Sequence, residues 1–357
     1  MARATVALHP LHILVVDGVA NPRKEVTRTS DGPLTVWRIQ IAPPGTGALA
    51  TTRYYTTYLT AVYRLWRALA LPAERIRLVH VHVIFPMGLF AYLLRYLKGI
   101  PYVITEHYTV LLPARIHRAP ILLRKLFRLT GNRAAHLLPV GPALLAAYRN
   151  LGVNTPATVV PNVVDPTHFY PVVDRYRPFT FIHVSALSDA AKNVSGIISA
   201  FTTFAQRHSG PRLLIVGDGP DRKKLETQAR RSVVNARIRF VGSLPHTEVA
   251  AVLRRAHALV MFSNYETFSV VLVEALLCGL PVITPENGSR TDWITPANGR
   301  IIPIGDETAL CEALEDIYLN YAHYDAATIA ASLPESCAPA AVGQRIVDVY
   351  DRVVPLW

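Results

Sequence analysis

Short apolar runs alternate along this chain with longer segments of helical period. The pattern predicts strands at Leu11 to Val16, Leu34 to Ile41, Leu78 to Val83, Pro101 to His107, Ala135 to Val140 and Ala157 to Val160. A polar segment containing Asp31-Gly32 separates the first two. Helices are expected over Tyr58 to Leu71, Met87 to Leu97, Pro120 to Leu129 and Pro142 to Leu151. Residues 161–178 hold four prolines and little periodicity, which reads as a linker. The alternation then restarts. Strands are expected at Phe179 to Val184, Leu213 to Gly217, Ile238 to Val241, Ala258 to Phe262, Pro281 to Thr284 and Arg300 to Ile304. Helices fall over Val194 to Arg207, Asp221 to Arg231, Thr247 to Ala256 and Ser269 to Cys278; after Thr308 to Tyr321 the sequence loosens, and a last helix is expected over Ala341 to Val353. Strands alternating with helices of this length argue for βαβ units and parallel sheets. The expected architecture is therefore α/β: two doubly wound, Rossmann-like domains facing a cleft, with ligands at the carboxyl ends of the strands. The expected division is 1–172, 173–337 and a last helix, 338–357, packing back towards the first domain.

A length of 357 residues suits two domains, each able to bury its own core. The net charge of +12 is unevenly placed. Residues 1–150 hold 19 Lys and Arg against 5 Asp and Glu, whereas the remainder holds 18 against 20. Such asymmetry points the first half at something anionic, such as nucleic acid, a membrane surface or a phosphorylated substrate; a merely solvated basic face fits it too. No nucleic-acid recognition motif accompanies the charge. The three cysteines, Cys278, Cys311 and Cys337, match neither a disulfide framework nor a zinc spacing, which favours a reducing compartment. The amino terminus lacks the form of a secretory signal, and no apolar run reaches the roughly 18–20 residues that span a bilayer. The expected location is cytoplasmic, soluble or peripheral at the inner membrane face.

One stretch organises the chain. From Ser263 it runs through Glu266, Thr267, Phe268 and Ser269 into a helix that Gly279 and Pro281 end. Between Val270 and Cys278 that helix is apolar except for Glu274. A carboxylate in a buried run calls for a partner or a ligand. A strand end, a turn and a helix start flanked by two carboxylates suit a phosphate-bearing ligand. A structural cation paired with Glu274 fits the same residues.

Other candidates follow in order. Gly217-Asp218-Gly219-Pro220 resembles a dinucleotide fingerprint, but Arg222 replaces its third glycine. Lys192 precedes a helix, where it can serve as a point charge for a phosphate or stay solvated. His80 and His82 alternate onto one sheet face and read as core or cleft-edge histidines rather than metal ligands. His107 ends a strand on the expected ligand side and is the stronger candidate. Arg115, Arg118, Arg124, Lys125 and Arg128 interleave with Ile121, Leu122, Leu123, Leu126 and Phe127. That helix suits an anionic membrane interface or a surface helix packed on its domain.

Together these pieces resemble the retaining family-4 glycosyltransferases of the GT-B fold, most densely from Phe179 to Asp306. The motifs are the E-x7-E pair Glu266 and Glu274, the strand ends Leu214 to Pro220 and Ile238 to Gly242, the segment Val160 to Asp165, and the stretches Val79 to His82 and Ile104 to His107. The resemblance implies a nucleotide-sugar donor held by the second domain and a glycan, lipid-linked or small-molecule acceptor held by the first. It implies Glu274 at the donor ribose, Glu266 at the transferred sugar and His107 near the reacting centre. The amides of Thr267, Phe268 and Ser269 would meet the diphosphate, and Lys192 its developing charge. Gly217, Gly219, Gly242 and Asn162 would line the donor pocket. No cofactor and no catalytic metal are implied.

Two departures stand out. Family members carry an arginine where Ser185-Ala186-Leu187 has Ala186, and losing one charged hydrogen bond to a diphosphate costs roughly 1.5–3 kcal/mol unless Arg290 substitutes. The family also opens with a strand, a glycine-rich loop and a helix, whereas this chain reads as starting at the following strand pair, with the first βα unit truncated. Both departures favour the alternative of a degenerate binding protein that holds a nucleotide sugar without turnover.

Overall fold

The computed structural model describes residues 11–23, 25–45, 47–69, 76–287 and 291–354. Contacts divide the chain into two units: Met1–Pro161 with Pro339–Trp357, and Asn162–Ala338. The division lies at Pro161–Asn162, ahead of the expected 172–173, because residues 169–176 pack on the second unit. The Phe169 ring lies 5.1 Å from that of His246, and the Tyr176 N–H donates to the Arg255 carbonyl.

In the first unit, β1 (Leu11–Gly18) runs parallel to β3 (Leu34–Ile41), and β2 (Thr27–Asp31) lies antiparallel on the other edge of β3. Strand β2 falls in the segment expected to be a polar connection. Its five residues are all exposed, so no alternation marks it, and pairing with β3 alone makes it a strand. The helix Ala48–Ala68 starts ahead of the expected Tyr58 and packs Ala61 and Leu65 on Ile39 and Ile41. A second, parallel sheet follows, of β4 (Val79–His82), β5 (Tyr102–Glu106) and β6 (His136–Pro139). Expected strand Ala157 to Val160 is reduced to one bridge, Ala157 with Leu137, although Thr158 and Val160 still donate to β6 carbonyls. The helices Met87–Lys98 and Ile121–Arg133 pack closely at Gly88, where a Cβ would lie 3.6 Å from Thr130. The helix Pro339–Val353 belongs to this unit, and its Tyr350 hydroxyl lies 2.5 Å from His80 Nδ1.

The second unit holds one parallel sheet of six strands: β7 (Thr180–Val184), β8 (Arg212–Val216), β9 (Ile238–Gly242), β10 (Ala258–Val260), β11 (Val282–Pro285) and β12 (Gly299–Ile302). Their order is β12-β11-β10-β7-β8-β9. The central strands β10 and β11 are buried throughout, so they read as apolar runs, whereas edge strands β9 and β12 carry Arg239 and Arg300. Phe201 and Phe204 of the helix Val194–Arg207 lie in the core with Phe181, Leu213, Val260 and Phe262. The direction in which successive strands are added reverses between β7 and β10. Such a reversal leaves a crevice beyond the carboxyl ends of those two strands.

Candidate active site

The loops that leave β7 and β10 meet at this reversal. After β7 comes a single turn, Asp189–Lys192, which Asn193 ends in the left-handed conformation at φ 48°. Asn193 then caps the next helix, accepting from the Gly196 N–H at 3.3 Å. This double use of one residue fixes where Lys192 stands. After β10, Asn264 ties its loop to the first one: its N–H donates to the Ala191 carbonyl at 2.8 Å and its Nδ2 to that of Ala190 at 3.0 Å. Beneath them, buried His183 bridges the strands, donating from Nδ1 to the Val260 carbonyl at 2.8 Å and accepting from Ser185 Oγ at 2.7 Å. Burial pushes His183 down to about 4, so it stays a neutral cross-link.

Lys192 Nζ and Glu266 Oε1 form an ion pair at this point, and Ser263 Oγ donates to the same oxygen at 3.1 Å. Glu266 is buried, and Lys192 keeps about a quarter of its side chain exposed. Asn287 holds the loop, donating from Nδ2 to the Ser263 carbonyl at 2.5 Å and accepting at its own carbonyl from the Glu266 N–H. The resulting group is a lysine that reaches solvent on one side and a buried carboxylate on the other.

Next along the chain, Phe268 is a core residue, its ring edge-on to Trp293 at 5.9 Å. Any part it plays at a ligand, like that of half-buried Thr267, lies in the backbone. Ser269 adopts φ 57° and starts the helix Val270–Leu277, with its Oγ on Met261 Sδ at 3.0 Å. A left-handed serine costs about 1–3 kcal/mol of strain, and it sets the approach of the chain to the first turn.

Glu274 lies on that helix, 4 % exposed. His246, the first residue of the helix His246–Arg255, donates from Nε2 to Glu274 Oε1 at 2.6 Å. Burial raises the Glu274 pKa, and the His246 bond opposes the rise. The pairing gives this buried carboxylate the hydrogen-bond partner that its surroundings call for. His246 was absent from the sequence candidates; its position just past the β9 end, at a helix start, is the signal that could have found it.

The three glycines expected in the donor pocket have definite backbone duties. At Gly217, with φ 131°, a Cβ would stand 1.8 Å from the Ser185 carbonyl oxygen. At Gly219 it would stand 2.6 Å from that of Leu187. Gly242, at φ 89°, accepts at its carbonyl from the Gly217 N–H at 2.8 Å. The first two contacts press the end of β8 against Ser185 and Leu187, and the third ties that end to β9. Asn162, half-buried, opens the second unit, and Arg290 lies outside the described residues.

In the first unit, His107 follows β5, and its Nε2 lies 3.3 Å from His82 Nδ1. His80 stacks on His82 at 4.6 Å, and burial lowers both pKa values, His82 to about 4. Among the described residues no three His, Cys, Asp or Glu side chains form a group suited to a metal. Sequence reasoning passed over Glu106. Fully buried, it accepts from the N–H groups of Ile84, His107 and Tyr108 and from the Tyr148 hydroxyl, at 2.8–3.1 Å. Four donors hold a carboxylate that burial alone pushes towards neutrality, and they pin the turn on which His107 sits.

Two family models match the chain in succession: a glycosyl transferase 4-like domain over residues 1–163 and glycosyl transferases group 1 over residues 173–332. One component of the human phosphatidylinositol N-acetylglucosaminyltransferase is 33 % identical over 159 residues, 44 % of this chain and 32 % of that protein. The glycogen synthase of Mycobacterium tuberculosis is 37 % identical over 133 residues, again 32 % of its length. The matched stretch thus spans about a third of these curated relatives. Among solved structures, a sucrose-phosphate synthase from Thermosynechococcus elongatus superposes with a TM-score of 0.82 at 18 % identity, covering 98 % of this chain and 92 % of that one. Anabaena HepE, solved with UDP and glucose, gives 0.69 at 17 % identity, covering 89 % and 86 %. Likeness at these identities establishes the fold.

Proposed function

Because this chain belongs to the group 1 glycosyl transferases, with the GT-B fold, we propose that it moves a sugar, a hexose or a derivative of one, from a nucleotide-diphosphate donor to a glycan, lipid-linked or small-molecule acceptor. The transfer retains anomeric configuration and uses no metal. The observation that supports this reading best is the Lys192–Glu266 pair at the sheet reversal, beside the start of the helix at Ser269.

Each part has a physical task. A helix start directs unpaired N–H groups and a positive dipole end at a ligand, which suits a diphosphate beside Thr267, Phe268 and Ser269. As the bond from the sugar to the diphosphate breaks, negative charge gathers on the departing phosphate oxygen. Lys192 stands ready to take that charge, because its ammonium already rests against a carboxylate and needs little reorganisation. Both side-chain donors to Glu266 meet Oε1, so Oε2 is the oxygen offered to a sugar hydroxyl. Glu274 serves the ribose diol, and His107 serves the acceptor side. A panel of UDP-, GDP- and ADP-sugars tests the reading: one donor is expected to raise the melting temperature and to be slowly hydrolysed. A saturating ligand at 100 times its Kd adds about 2.7 kcal/mol to apparent stability. Binding of one donor with neither hydrolysis nor transfer would favour the degenerate binder.

The acceptor side suggests a membrane. On the basic helix Ile121–Arg133, Ile121 and Leu122 are 64 % and 79 % exposed, with Arg118 and Lys125 exposed nearby. Among the described residues no helix is long and apolar enough to cross a bilayer. Two outward apolar side chains ringed by cations suit insertion at an anionic headgroup layer. Vesicles containing phosphatidylglycerol are expected to retain the protein at low salt and release it at high salt. Replacing Ile121 and Leu122 together with serine is expected to abolish retention, and indifference to anionic lipid would remove this part of the reading.

A further inference from the structure

We propose that His246 is a positioning residue for the donor's ribose: its imidazole fixes the Glu274 carboxylate so that the ribose hydroxyls meet it in one geometry. The inference rests on the donor-site reading and adds a residue to it. Glu274 stands alone among apolar neighbours on the helix Val270–Leu277, and its carboxylate turns about flexible bonds. The 2.6 Å bond from His246 Nε2 supplies what orients it.

The imidazole is held in turn. It begins the helix His246–Arg255, and the buried Phe169 ring packs beside it at 5.1 Å. The imidazole is 61 % exposed while the carboxylate side chain is 5 % exposed, so a ligand arriving at Glu274 from solvent passes beside His246. A carboxylate offers about four lone-pair sites, so one bond from His246 leaves acceptors for two hydroxyls. The bond also favours the ionised carboxylate against the burial that raises its pKa, and an ionised acceptor binds hydroxyls more strongly.

Calorimetry on the full chain tests this with UDP, GDP and ADP, followed by the 2′,3′-dideoxy form of whichever binds tightest. The ribose form is expected to bind the wild type at least about tenfold tighter than the dideoxy form. In His246→Ala the ribose form should lose about tenfold and the dideoxy form little, so that discrimination collapses. His246→Gln, whose amide can still donate to Glu274, should keep most of it. Unchanged discrimination in His246→Ala with a native melting temperature overturns the proposal. So does tighter binding of the ribose form, since His246 would then be a competitor for the carboxylate. If His246→Ala unfolds, His246→Asn, too short to reach Glu274, must show the same collapse, and preserved discrimination there counts against the proposal. Failure of the wild type to bind any of the three nucleotides sinks the donor-site reading itself and this proposal with it, an outcome distinct from those above.

Discussion

Replacing Lys192 with alanine is expected to lower kcat by about 10²–10³-fold, or about 2.7–4 kcal/mol, with a much smaller change in donor KM. The split follows from when the charge is needed. In the proposed reaction the helix start at Ser269 would already serve a bound diphosphate, whereas the extra charge on the leaving phosphate appears only as the bond from sugar to phosphate breaks. Lys192 is ready for it because Asn193, left-handed, sets the turn, and Asn264 ties that turn to the loop carrying Glu266. The substitution also strands buried Glu266 beside Ser263, so Glu266→Gln is the necessary companion. It keeps the shape, removes the charge and should lose kcat by a comparable factor. Steady-state kinetics on the donor found by the nucleotide-sugar panel checks both. A loss below tenfold in Lys192→Ala would assign the diphosphate charge elsewhere.

Gly217→Ala is expected to destabilise the protein by about 3–5 kcal/mol, among the largest effects a single methyl can have. Two causes add. The residue sits at φ 131°, which side chains rarely adopt, and its Cβ would stand 1.8 Å from the Ser185 carbonyl oxygen. Backbone on backbone cannot yield as a flexible side chain can, so β7 and β8 must part at their carboxyl ends. The contact holds Ser185-Ala186-Leu187 in place, and activity should fall along with stability. Gly210→Ala is the control: a Cβ there meets only the Tyr318 hydroxyl at 3.5 Å and should change stability by less than about 1 kcal/mol. Urea unfolding of both variants, followed by fluorescence, compares them.

The second unit was legible because its central strands are buried, largely apolar runs and its strands are bounded by glycine, proline or a polar turn. Helix Val194–Arg207 appears with the expected bounds, and strands β7 to β12 fall within a residue or two of the pattern. The first unit yields less. Thr27–Asp31 has no apolar face to mark it, and the threonine-rich start of Ala48–Ala68 hides the first turns of that helix. Ala157 to Val160 has the right composition but too few pairing partners to extend beyond one bridge. At the candidate site, Glu274 stands out in the sequence as a carboxylate in an apolar helix and Glu266 as its companion on the turn before it, whereas Glu106, at a strand end, does not. Their partners were not all visible. The bond from His246 to Glu274 spans 28 positions and that from Tyr148 to Glu106 spans 42, and no local spacing encodes such contacts.

The polar character of β2 has a consequence for solution behaviour. One side of β2 pairs with β3, and among the described residues it is the last strand in its sheet. An outer strand presents a row of backbone donors and acceptors to any passing chain, which invites self-association. Here that row is brief and lined by Thr27, Arg28, Thr29, Ser30 and Asp31, with the Arg28 guanidinium folded over the Trp37 ring at 5.2 Å. Short length, mixed charge and the absence of apolar side chains make this border a poor template for another strand, so it discourages aggregation without needing a covering helix.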